Sequence, residues 1–293
     1  MEFGRALRFT LDAAESCMLM DKPIPSRGQK RCWLVSFSLG ILSLILSEPC
    51  LSGINLSHAE AMRIGKKIWQ NECHGTVSGL TSWNSGENFA SLGIGHFIWY
   101  PEGMPGPFEE SFPQLVSFIA ARGAKLPHLL LATGELHCPW KSRTEFLRAQ
   151  QTPEMRQLRQ FLVDTVDLQA QFMINRLQNA LPKMLQETAP SNRAKVQQQF
   201  QRLTDSARGC FALADYVNFK GEGVLATERY RGEGWGLLQV LEQMPDTNTD
   251  AVAAFSRAAA QVLTRRVQNA PPERKESRWL PGWTHRVDSY NRG

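Results

Sequence analysis

The sequence predicts an α+β fold, mainly helical, arranged as two lobes with a cleft between them. Three observations lead there. From about residue 113 onward, apolar residues recur at three-to-four spacing through almost the whole chain, which is the period of amphipathic helices. Residues 75–100 break that pattern: they are rich in Gly, Ser, Thr and Asn, with isolated Trp83, Phe89, Leu92 and Ile94, and read as a small irregular β-hairpin region. A single helix, expected over 60–71 with Ile64 and Ile68 on one apolar stripe, precedes that region and ends at Glu72.

The elements before that helix are read as an address. Arg27, Lys30 and Arg31 flank a nearly unbroken apolar run from Leu34 to Leu46. The run is short for a membrane span of about 20 residues and suits a signal-peptide core. Ser57-His58-Ala59 places small residues where a signal peptidase reads, so cleavage before Glu60 is expected. Residues 1–59 are thus a signal peptide or, if uncut, a membrane anchor allowing membrane association, and 60–293 the working domain. Met18 or Met20 is an alternative start. Ser47-Glu48-Pro49 before Cys50 disfavours lipidation. The expected location is secreted or periplasmic.

After the hairpin region, Pro101, Pro105, Pro107 and Pro113 mark a loop. Helices are expected over 114–122, 143–149, 153–181 (interrupted by Pro182), 194–207, 209–219 and 250–268. Gly221, Gly223, Gly232, Gly234 and Gly236 break the segment between the last two, and the tail carries Trp279 and Trp283.

Composition is that of an ordinary globular protein, with 42% hydrophobic and 21% charged residues. The net charge is +5, and +4 once residues 1–59 are removed. A mild basic excess favours anionic surfaces. No dense Lys/Arg run with interleaved aromatics is present, so no nucleic-acid partner is expected. Cys73, Cys138 and Cys210 lie beyond residue 59 and permit one disulfide at most, or three buried thiols. His74, His128 and His137 match no helix-borne ligand pair with Cys73 or Cys138, so no metal is expected. Phosphate-binding glycine motifs and a serine nucleophile elbow are missing, and no cofactor is implied.

The residues with chemistry are Glu72 and the turn Ser91-Leu92-Gly93-Ile94-Gly95-His96. A glycosidase needs a carboxylic acid to protonate the leaving oxygen and usually a second carboxylate. A Glu at a helix end beside a polar hairpin suits that need. The arrangement resembles the phage-type lysozyme family, in which an acid ends the first helix, a β-hairpin follows, and a Thr-Ile-Gly-x-Gly-His turn comes next. The resemblance implies a lysozyme-like two-lobe fold, peptidoglycan glycan strands as substrate, and a monomer. It places Glu72 as the general acid and Ser91 as the hydroxyl that helps hold the attacking water, with Gly93 and Gly95 turning the backbone tightly against the substrate cleft. His96, beside the substrate there, is either a structural histidine orienting hairpin and loop or a catalytic base. Weaker helical likenesses continue through Asp215–Gly223 and the closing helices to Tyr290.

One departure stands out. The family's hairpin Asp is missing, and the hairpin's only acid is Glu87, four residues before Ser91. Glu87 is either the second carboxylate or a solvated turn residue. In the second case Glu72 works nearly alone, as in lytic transglycosylases. A catalytically silent glycan-binding protein on the same scaffold is a further reading. Gly232–Gln239 also resembles the Gly-Leu-Met-Gln stretch of soluble lytic transglycosylases, which puts Trp235 and Gln239 against sugar, or else marks a helix start entering the core. Trp83, Trp99 and Tyr100 either stack on sugar faces or fill the hairpin core.

Overall fold

In a computed structural model, the described residues are 54–106, 108–131, 134–246 and 250–292. Most of the expected export segment, 27–53, lies outside them. Among the described residues no helix is long and apolar enough to cross a membrane.

The first helix, α1 (His58–Cys73), starts two residues earlier and ends two later than its apolar stripe indicates. Its start is set by a capping box. The Ser57 side chain accepts from the Glu60 backbone N–H, and the Glu60 carboxylate accepts from the Ser57 backbone N–H at 2.9 Å. These bonds to Ser57 hold the Glu60 carboxyl below its ordinary range. Such a cap contributes about 1 kcal/mol. The expected cleavage point, before Glu60, therefore falls inside the first turn of α1. Its end is set by His74, which adopts the left-handed conformation at φ 53°.

Three short strands follow: β1 (Thr81–Ser82), β2 (Ala90–Leu92) and β3 (Phe97–Trp99), antiparallel in that order. Thr81, Leu92 and Phe97 share the buried face. Ser82, Ser91 and Ile98 pair on the opposite face, as residues directly across antiparallel strands must. Trp83, Trp99 and Tyr100 are all buried, Trp99 completely, so the hairpin aromatics are core.

The helical remainder comprises α2 (Phe112–Ala120), α3 (Arg143–Ala149), α4 (Pro153–Asp164), α5 (Val166–Glu187), α6 (Pro190–Thr204), α7 (Ala207–Lys220), α8 (Leu237–Gln243), α9 (Ala251–Asn269) and α10 (Leu280–Asp288). Where one helix was expected over 153–181, there are two. The break is at Thr165, whose hydroxyl bonds the Phe161 carbonyl at 2.7 Å and competes with the helical ladder. Pro182, expected to end the helix, lies inside α5. It is exposed, so the carbonyl it deprives of a partner can be satisfied by water. A second hairpin, β4 (Arg229–Tyr230) with β5 (Glu233–Gly234), occupies the glycine-rich segment and was not expected.

Helix α5 packs against α1, α2, α6 and α7, while α9 packs against α8 and α10. The buried apolar residues form one continuous core from Ala61 to Tyr290. Among the described residues, Cys73, Cys138 and Cys210 are free and buried.

Candidate functional site

Glu72 sits in the last turn of α1 with its side chain 16% exposed. Its two oxygens have different neighbours. Oε1 accepts from Arg286 Nη2 of α10 at 2.5 Å and from Asn218 Nδ2 of α7 at 3.2 Å. Oε2 lies 3.8 Å from His96 Nδ1. The site thus joins α1, α7, α10 and the β2–β3 turn, which are far apart in the chain.

Behind Glu72 lies a buried polar cluster. Arg286 grips Asp215 of α7 with two bonds of 2.8 Å, from Nε and Nη2. Asp215, fully buried, also accepts from Tyr290 Oη at 2.6 Å and from Asn71 Nδ2 at 3.0 Å. Burial opposes the charge on Arg286, but Asp215 and then Glu72 outweigh it and hold the guanidinium above its usual range. Burial and then the Asp215 charge push the Tyr290 phenol well up. Four donor bonds on a carboxylate with no exposure are what make that burial tolerable.

The β2–β3 turn is anchored as firmly. Gly93 has φ +73°, and a Cβ there would lie 2.4 Å from Gln169 Oε1, so glycine is required twice over. The same Gln169 oxygen accepts from Ile94 N at 2.9 Å, and its amide donates to the Leu162 carbonyl at 2.6 Å. A Cβ on Gly95 would crowd Phe97 and Asn218. His96 ends the turn at φ +51°, with Nε2 3.3 Å from the Gly79 carbonyl and 3.5 Å from Cys73 Sγ. Burial, then the Glu72 charge, push the Cys73 thiol up to about 12.

Ser91 is buried on the Ser82–Ile98 face of the sheet, and its hydroxyl has no partner among the described residues. Glu87 lies in the β1–β2 connection, at the other end of the strands from His96. Its backbone carbonyl accepts from Trp83 Nε1 at 2.8 Å, while its Oε2 is buried without a partner. No hydrogen bond or ion pair joins Glu87 to Glu72. The structure therefore brings Glu72, Gly93, Gly95 and His96 together, and leaves Ser91 in the middle of β2 and Glu87 in the loop at the far end of the sheet.

Trp235 and Gln239 take the second of their two expected placements, at a helix start entering the core. Both are more than nine-tenths buried. The Trp235 ring packs tilted against Tyr230, centroids 4.4 Å apart, and lies under the Arg266 guanidinium at 4.1 Å. Gln239 accepts from Gly236 N and donates to the Gly223 carbonyl, pinning the glycine segment at the start of α8. Among the described residues no three His, Cys, Asp or Glu side chains converge to hold a metal ion.

The sequence reading did not single out Arg286, Asp215, Tyr290 or Asn218. Asp215 carried a signal: an acid inside the apolar run Cys210–Val217 must find a cationic partner once that helix is buried. Comparison with protein-family models, with curated proteins and with solved structures gave no match to this chain.

Proposed function

We propose that this protein is a peptidoglycan hydrolase of the phage-type lysozyme kind, cleaving the β-1,4 glycosidic bond with Glu72 as general acid. The observation that carries the reading is the two-sided setting of Glu72. Oε1 is fixed by Arg286 and Asn218, and Oε2 turns toward the β2–β3 turn. A carboxyl held by one oxygen and free at the other is oriented to donate a proton to a leaving oxygen lying over the sheet.

In this reading the helix-end acid, the hairpin and the Gly93–His96 turn form one wall of an interlobe cleft. The sheet with α2–α4 makes one lobe, α6–α10 make the other, and α5 connects them. The pattern of helix contacts supports that division, because α5 touches α1, α2, α6 and α7. The Ser91 hydroxyl holds the attacking water, and the unpartnered Glu87 carboxylate oxygen serves as the second carboxylate. The glycan strands meet a mildly basic protein outside the cytoplasm, delivered through the N-terminal segment.

The lack of an Asp in the hairpin, whose only acid, Glu87, lies at the far end of the strands from the β2–β3 turn, favours one second reading, a lytic transglycosylase in which the sugar's own hydroxyl attacks. Digestion of purified peptidoglycan by the full chain, with products weighed by mass spectrometry, tests both. Hydrolysis gives reducing ends, and transglycosylation gives ends lighter by one water. Glu72→Gln should lower the rate by about 100-fold or more. Wild-type clearance by Glu72→Gln sinks the proposal, and glycan binding without any product identifies a silent scaffold.

A further inference from the structure

We propose that His96 is a positioning residue for the proton that Glu72 delivers, held for that purpose in one tautomer by the Gly79 carbonyl. The inference rests on the reading of Glu72 as the acid. Its basis is the hydrogen-bonding capacity of the atoms around the ring. Nε2 lies 3.3 Å from the Gly79 carbonyl oxygen, which can only accept. The other neighbour of Nε2 is Cys73 Sγ at 3.5 Å, and that thiol keeps its hydrogen, directing it at the Gly93 carbonyl 3.7 Å away. Nε2 is therefore the nitrogen that carries hydrogen in the neutral ring.

Nδ1 then presents a lone pair to Glu72 Oε2 at 3.8 Å. An ionised carboxylate also has only lone pairs to offer. At 3.8 Å they are not hydrogen-bonded, and they can close to hydrogen-bond distance favourably only with a proton between them, on Oε2 or on Nδ1. The remaining groups around Glu72 do not supply one. Arg286 is occupied by Asp215 and by Oε1, Asn218 also serves Oε1, and Asp215 is saturated by Arg286, Tyr290 and Asn71. The backbone points the same way. His96 is a non-glycine residue at φ +51°, a conformation that costs about 1 kcal/mol and that surrounding structure must maintain.

The proton count closes. Glu72 Oε2 gives its proton to the glycosidic oxygen as the sugar C–O bond breaks. The carboxylate left behind faces Nδ1. The water that attacks the sugar carbon releases one proton, which returns through Nδ1 to Oε2 and restores the starting pair.

Two measurements on the full-length protein test this. Side-chain 15N NMR of the wild type should show the neutral His96 ring protonated at Nε2. A neutral ring protonated at Nδ1 with a bare Nε2 overturns the proposal. His96→Asn, which left-handed backbone accepts well, should lower kcat about tenfold to 100-fold with KM changed by less than about twofold, and should alter the shape of the kcat–pH profile. Wild-type kcat across the pH range overturns the proposal. A wild-type protein that leaves peptidoglycan intact sinks the glycosidase reading instead, and the tautomer measurement still decides the His96 geometry.

Discussion

Helix α7 buries two charged side chains five residues apart, Asp215 and Lys220, and treats them in opposite ways. Asp215 has no exposure and four donor bonds, two of them from Arg286. Lys220 is 9% exposed and has no hydrogen bond or carboxylate partner among the described residues. Its ammonium nitrogen instead lies over the rings of Trp283, at 3.3 Å from the centroid, and Phe219, at 3.9 Å. The carboxylate that might have answered it, Glu276, is taken by Arg266, Arg274 and Tyr230. Burial, then the nearby Arg266, push the Lys220 amine down to about 6. A buried carboxylate thus keeps its charge where donors converge on it, and a buried ammonium with no acceptor gives up its proton.

The largest effect should come from breaking the paired side. Arg286→Met leaves Asp215 buried without its cation and frees Glu72 Oε1. A loss of about 3–5 kcal/mol is expected from urea unfolding. A loss under about 1 kcal/mol would mean that Tyr290 and Asn71 suffice for Asp215.

The unpaired side predicts a pH dependence of definite sign. The unfolded chain keeps the Lys220 proton up to a pH near 10, whereas the folded protein releases it near 6. Between those values the unfolded state binds more protons, so stability rises with pH, by at most about 1.4 kcal/mol per unit. The urea midpoint should climb from pH 6 to pH 9. Lys220→Met should flatten that rise and be more stable than wild type near pH 6. An unchanged slope in the variant would show that the amine is not the group responsible.

The smallest effect on stability belongs to Glu87, whose buried Oε2 has no partner to lose. Glu87→Gln should shift the midpoint by less than about 1 kcal/mol and lower hydrolysis about tenfold or more. A full rate with anhydro products would assign the chemistry to Glu72 alone.

The sequence by itself determined the helix stripes, the hairpin region and the glycine turn, because these are local. Ile64 and Ile68 reach the core by their spacing, and Gly93 is demanded by a positive φ and a close approach. Boundaries set by side-chain caps were less legible: Ser57 and Glu60 start α1, and Thr165 rather than Pro182 divides the long helix. Glu72 was legible as a helix-end acid. Its partners were not, since Asn218 and Arg286 lie 146 and 214 residues away. Trp235 and Gln239 look alike in sequence whether they face sugar or core, and packing against Arg266 and Gly223 decided it. Spacing along a chain fixes which face a residue occupies. Which charge it meets there depends on how helices from opposite ends of the chain are brought together, and only the tertiary structure decides that.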